Sequence, residues 1–308
     1  MMKAHHTPVL LNESIDYLIT DKSGIYFDAT LGFGGHTEAI LKILNSDAVV
    51  AATDVDKNAF DFSKEKFLKD ERVKLYNFNF SEIDVVARIE SFGFFDGIFA
   101  DLGVSSFQLD NRESGFTYKE EAKLDLRMDK SKVVNAADII NSFSEEDLAG
   151  IFFEFGEERN SKKIAREICR RRHDVKIETT LQLSEIIKSV IPFKNQNKTL
   201  SRIFQSLRIY VNNELGTLKT FLDKSVSLLK KGGRIVIISY HSLEYRIVKE
   251  TFKYETLDCI CPKDYPVCKC DKERRLKILT RKPVTPSPGE IAFNPRSRSA
   301  KLRAAERV

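Results

Sequence analysis

Strand-like and helix-like segments alternate through the first hundred residues, and this alternation restricts the fold more than any other feature of the chain. The strand candidates are IYFDAT (25–30), AVVAATDV (48–55), VKLYNF (73–78) and GIFADLG (97–103). Between them lie HTEAILKIL (36–44) and KNAFDFSKEKFL (57–68), apolar at helical spacing, and a weaker helical run over 81–92. The strands are continuous apolar runs, as parallel strands covered on both faces must be. The pattern predicts an α/β fold, an open and mostly parallel sheet with helices on each side.

From about residue 112 to 208 the alternation stops and nearly every segment reads as helix: AADIINSF, SEEDLAGIFFEFG, SKKIAREICRRR and LQLSEIIKSVI. SEED (144–147) has the form of a helix start, with a capping serine and an acid three positions on. We read 1–111 as the first part of the sheet domain, 112–208 as an inserted all-helical subdomain for substrate recognition, and 209–308 as the remainder with a basic C-terminal tail. The helix RIFQSLRIYVNNELGTLKTFLDKSVSLL is expected to bend at Gly216, and KGGRIVIISY (231–240) returns to a buried strand. KILT (277–280) and SAKLRAAERV have the composition of closing strands.

An open sheet of this kind binds its ligand at the carboxyl ends of its strands. DATLGFGGHT (28–37) puts Gly32, Gly34 and Gly35 just after the first of them. A nicotinamide dinucleotide needs a third glycine for close helix packing, and that position is Thr37. S-adenosylmethionine fits better. Asp28 is a neighbour for its ammonium, and amides at Gly34, Gly35 and His36 are candidates for its carboxylate. Asp54, at the end of the second strand, is placed to accept ribose hydroxyls, with Asp56 as a rival two residues on. The fourth strand ends at Asp101, an acceptor for a base amino group that must pyramidalise as it attacks a methyl group. Ser105 and Ser106 could assist.

In this order the motifs resemble the ribosomal small subunit methyltransferase H family along the whole chain. The matching stretches include HTPVLLNES (6–14), DATLGFGGHT, DVD (54–56), DLGVSSFQLD (101–110), GFTY (115–118), LDLRMD (124–129), FGEERNSKKIAREI (155–168), FQSLRIYVNNEL (204–215), GGRIVIISYHSLEYRIVK (232–249) and NPRSRSAKLRAAE (294–306). The resemblance implies a class I, Rossmann-like methyltransferase that uses S-adenosylmethionine to methylate N4 of one cytidine in 16S rRNA. It implies cofactor contacts from Gly34, Gly35, His36, Asp54, Phe80, Asp101 and Gln108. The partner so implied is 16S rRNA within the small ribosomal subunit, with no DNA and no membrane, in the cytoplasm. DNA amino-methyltransferases often carry two prolines and an aromatic after the fourth strand; this chain has DLGVSS, so Phe107 or Tyr240 must supply any stacking ring. A nicotinamide-dependent oxidoreductase and a non-catalytic rRNA-binding assembly factor are the alternatives.

His241 follows the fifth strand and is read beside Asp101 as catalytic, taking the amine proton, or else as a helix cap. Gln205, Arg208 and Asn212 share one helical face, which is either a wall of the substrate cleft or an ordinary solvated stripe. The chain carries +5 net charge; residues 271–308 hold eleven Lys and Arg against four acids, a local excess of 11 − 4 = +7. With SKKIAREICRRRHDVK, this stretch offers phosphate contacts. Cys259, Cys261, Cys268 and Cys270 make C-x-C twice, tighter than the usual zinc spacing, and some members of the family resembled lack them. They are read as a zinc candidate or as reduced thiols, and no metal is assigned to the site. Cys169 reads as a packing residue. No apolar run reaches the ~20 residues that span a bilayer, and the first residues turn polar too soon for a signal peptide.

Overall fold

The computed structural model describes residues 8–105, 115–118, 120–262 and 267–308. The chain divides into two compact units, one of residues 1–103 and 215–308, the other of residues 104–214. The first unit holds one seven-stranded sheet in the order β3-β2-β1-β4-β5-β7-β6. Its strands are β1 (Ile25–Asp28), β2 (Val49–Thr53), β3 (Val73–Tyr76), β4 (Phe95–Asp101), β5 (Leu229–Ser239), β6 (Leu276–Ile278) and β7 (Lys301–Arg307). The first five run parallel, and β7 enters antiparallel between β5 and β6. The final residues are therefore no free basic tail. Arg303 is buried, with its guanidinium on the Tyr245 hydroxyl and the Thr280 carbonyl, so it is withdrawn from any phosphate.

Helices cover both faces: α1 (Leu11–Leu18), α2 (Gly35–Leu41), α3 (Lys57–Lys66), α4 (Ile83–Ile89), then later α10 (Glu214–Leu228), α11 (Ser242–Tyr254) and α12 (Pro288–Phe293). One face of the sheet packs Phe27, Ile98 and Ile237 against Ile83, Phe221 and Phe252. The other sets Tyr26, Phe99 and Ile238 against Leu18, Ile40 and Phe67. Because β1, β4 and β5 bury both faces, they need the apolar run seen in the sequence.

The second unit contains α5 (Ala136–Ser142), α6 (Glu145–Glu154), α7 (Ser161–Asp174), α8 (Thr180–Val190) and α9 (Gln196–Asn212). The Ser144 side chain accepts from the Asp147 amide and starts α6. Thr179 and Gln182 form a reciprocal box at the start of α8. Phe152, Ile164, Ile168, Leu183, Ile187, Ile203 and Leu207 meet in its core. Gln205, Arg208 and Asn212 turn out to be fasteners within this unit. Gln205 donates to the Phe155 carbonyl, Arg208 grips Glu214 at 2.8 Å twice, and Asn212 donates to the Leu126 carbonyl while accepting from the Met128 amide. The expected bend also shifts: α9 ends at Asn213, with φ 52°, and Gly216 lies inside α10. Cys169 packs against the core of this unit.

Candidate active site

The site lies along the carboxyl ends of β1, β2 and β4. After β1 the chain turns at Gly32 and Gly34, whose φ angles are +50° and +72°, before entering α2. Gly34 has two reasons to lack a side chain: its left-handed backbone, and a Cβ that would meet the Phe67 ring at 2.4 Å. Its amide donates to the Leu31 carbonyl at 2.8 Å, so Gly34 shapes the turn instead of offering that N–H to a ligand. At Gly35 an added Cβ would meet Pro8 at 2.6 Å, which ties the turn to the segment before α1.

Three acids stand under and beside this turn. Asp28 is wholly buried, its oxygens accepting from the Thr30 amide at 3.0 Å and the Thr37 hydroxyl at 2.6 Å. Thr37, which replaces the third glycine of a dinucleotide loop, therefore anchors an acid. Both Asp28 oxygens are engaged by its own loop, whereas the sequence reading made this residue a neighbour for the ligand's ammonium. Asp54 reaches back to the turn, accepting from the Gly32 amide at 2.7 Å and the Asp56 amide at 2.8 Å. Its rival Asp56 is committed elsewhere, capping α3 through the Asn58 amide. Asp101 ends β4, its amide donating to the Thr30 hydroxyl at 2.7 Å. One oxygen of Asp101 accepts from the Tyr240 hydroxyl at 2.8 Å, and the other lies 3.9 Å from His36 Nδ1.

Burial pushes Asp28 and Asp54 up to about 6 and Asp101 up to about 7; the charge of Asp28 adds a smaller upward push on Asp54 and Asp101. Tyr240 is driven far above its ordinary range, first by burial and then by the charge of Asp101, so it stays a donor. His36 Nε2 faces the Val9 carbonyl at 3.1 Å. A carbonyl only accepts, so that nitrogen carries the proton. Its ring also rests 4.5 Å from the Phe99 ring.

Phe80 sits after β3 in a short 3₁₀ turn capped by Asn79, and packs edge-on against Phe221 at 5.1 Å. Gln108 lies outside the described residues, as do Ser106 and Phe107. Tyr240, one candidate for the stacking ring, gives its hydroxyl to Asp101, a bond that no local sequence pattern shows. His241 caps α11. Its Nδ1 accepts from the Glu244 amide at 3.4 Å, and its Nε2 lies 3.0 Å from the Glu244 carboxylate. Glu244 in turn accepts from the Tyr240 amide at 2.9 Å. His241, Glu244, Tyr240 and Asp101 thus form one chain of contacts.

These carboxylate acceptors suit a ligand with positive centres and ribose hydroxyls. An anionic pyrophosphate would face three carboxylates. A parallel sheet with an antiparallel seventh strand between the fifth and sixth, and acids at the ends of its first, second and fourth strands, is the architecture of a class I methyltransferase. The chain belongs to the MraW methylase family, whose sequence model matches residues 3–308. It is 51% identical over 304 residues to the ribosomal RNA small subunit methyltransferase H of Caldicellulosiruptor saccharolyticus, covering 98% of this chain and 99% of that protein. The protein of the same name from Clostridioides difficile is 45% identical over 313 residues, covering all of both chains.

Proposed function

We propose that this protein transfers a methyl group from S-adenosylmethionine to the N4 amino group of a cytidine in the 16S rRNA of the small ribosomal subunit. The observation that carries the reading is the convergence of Asp28, Asp54 and Asp101 on the glycine turn, with Asp101 held by Tyr240. The names of the two relatives above support an rRNA substrate.

The bound cofactor supplies an electrophilic methyl group on a cationic sulfur. Gly34 and Gly35 would let the backbone pass close to the cofactor, Asp54 would accept from its ribose, and His36 and Phe80 would offer ring faces to it. Asp101 accepts a hydrogen bond from the exocyclic NH₂, which loosens the conjugation of the nitrogen lone pair with the ring. The amine proton released on methylation passes to the same carboxylate, whose raised basicity suits it to hold a proton. Tyr240 fixes the carboxylate's orientation, and His241 and Glu244 fix Tyr240. His241, read from sequence as base or cap, acts in this proposal as the cap.

Residues 104–214 serve the RNA. On α7 the side chains of Lys162, Lys163, Arg166, Arg170 and Arg171 are exposed, with Arg166 paired to Glu145, Arg170 and Arg171 to Glu167, and Lys163 on the Val190 carbonyl; Arg172 binds the Ile140 and Phe143 carbonyls. Exposed cations of this kind give salt-dependent, sequence-independent affinity. Selection of one cytidine rests on RNA shape and on flipping the base.

The test is methyl transfer from labelled S-adenosylmethionine to small subunits lacking the modification, to naked rRNA and to DNA. Label recovered as N4-methylcytidine in subunits, and reduced roughly 10²–10³-fold by Asp101→Ala, is the expected result. Label absent from every RNA, despite tight cofactor binding, would overturn it.

A further inference from the structure

We propose that Cys259, Cys261, Cys268 and Cys270 bind one structural Zn²⁺ ion. Their sulfurs all lie within 4.8 Å of one another. Cys259 and Cys268 are 3.3 Å apart, Cys268 and Cys270 3.6 Å, Cys259 and Cys270 3.7 Å, and Cys261 and Cys268 3.9 Å. A tetrahedral ion with metal–sulfur bonds of about 2.3 Å sets its sulfurs about 3.8 Å apart. Disulfides require about 2 Å. Iron–sulfur clusters spread their thiolates over separate irons, which this tight group of sulfurs does not match. The arrangement is that of a single-ion, four-thiolate site, and a soft tetrahedral S₄ set suits zinc.

Two further observations point the same way. Backbone amides aim at the sulfurs: Ile260 donates to Cys270, Cys261 to Cys259 and Lys269 to Cys261, each at 3.3 Å. Such donors stabilise thiolate ligands and fix their direction. The loop itself also needs a fastener. It leaves α11 and returns to β6 at one neck, where Glu255 holds Arg275 at 2.6 Å and Lys272 at 3.3 Å, and where the Glu255 carbonyl accepts from Arg275 and Leu276. Beyond that neck the described residues up to 275 form no helix or strand, and Leu257, Ile260 and Val267 face solvent. Among the described residues no apolar core holds the loop. A metal bound by four deprotonated thiols, with the protons released to solvent, would supply that order. The C-x-C spacing argued against zinc in the sequence. In the fold the single intervening residue of each pair, Ile260 or Lys269, gives its amide to a sulfur of the other pair.

The experiment uses the full chain, purified without chelator, with metal content measured by plasma mass spectrometry. One zinc per chain is expected, lost in the double variant Cys259→Ser/Cys268→Ser. Replacing zinc by Co²⁺ should give the thiolate charge-transfer and tetrahedral d–d absorption of a CoS₄ centre. Limited trypsin digestion should cut the variant within residues 257–275 while circular dichroism shows its sheet and helices retained. Iron in place of zinc, zinc retained by the double variant, or a wild-type chain with four reactive thiols and no metal would each overturn the proposal. The cobalt spectrum is read on wild type, so the assignment stays testable even if the variant fails to fold.

Discussion

Asp101 depends on a neighbour that approaches it from another strand. The Tyr240 hydroxyl lowers the basicity of Asp101, partly offsetting the burial that raises it to about 7. Tyr240→Phe should therefore move the acidic limb of the pH–rate profile to higher pH, because the carboxylate is lost earlier as pH falls. At pH 7 turnover should drop about tenfold, the scale of one hydrogen bond to a charged group. Cofactor affinity should change little. An unchanged profile would mean that the bond to Tyr240 does not tune Asp101. His241 allows a complementary substitution. Asparagine caps helices well and alanine does not, so His241→Asn should keep turnover within a few-fold and His241→Ala should cost about 1 kcal/mol in thermal or denaturant unfolding. Loss of turnover in His241→Asn, with the fold intact, would restore this histidine as a proton acceptor. Asp54 and Asp101 were legible from strand ends alone. Their connections were not, because Tyr240 is 139 residues from Asp101 and no local pattern encodes that contact.

Among the elements, the glycine turn carries the most conformational demand. Gly34→Ala would force a side chain into a left-handed residue and into the Phe67 ring at 2.4 Å. We expect a stability loss of about 1–3 kcal/mol by chemical denaturation, and cofactor affinity reduced more than tenfold by calorimetry. Normal affinity would show that the turn relaxes without consequence. Where a local rule governs, the sequence placed the element well: the Ser144 cap, the continuous strands, the turn after β1. It misplaced the break in the long helix because glycine is the commoner signal, whereas Asn213 also tolerates the left-handed conformation and Gly216 has none to adopt. Residues 301–307, read both as a closing strand and as part of a basic tail, are a strand that pairs with both β5 and β6. Composition cannot reveal which strand a segment joins; that is settled by partners distant in the chain.

At the scale of the whole molecule, the three acids at the strand ends couple folding, protonation and ligand binding. Asp28 and Asp54 rise to about 6 and Asp101 to about 7, from an ordinary 3.8. The folded chain therefore keeps protons that the unfolded chain has released, so their contribution to stability is fully present below about pH 4 and is lost as pH climbs to about 7. A cation bound among the carboxylates does the reverse: it favours their ionised forms and expels those protons. S-adenosylmethionine and its demethylated product share the ammonium, carboxylate, ribose and adenine, and differ in the charge on sulfur. The ratio of their affinities thus isolates the sulfonium. Calorimetry at about pH 5.5 and about pH 8 should show binding of the methyl donor strengthening relative to the product by about tenfold, the value of one unit of proton linkage. Heat measured in buffers of different ionisation enthalpy should register proton release on binding the donor at the lower pH. A ratio that stays constant with pH would place the sulfur outside the reach of these carboxylates, and Asp101 would then have to act on the amino group alone.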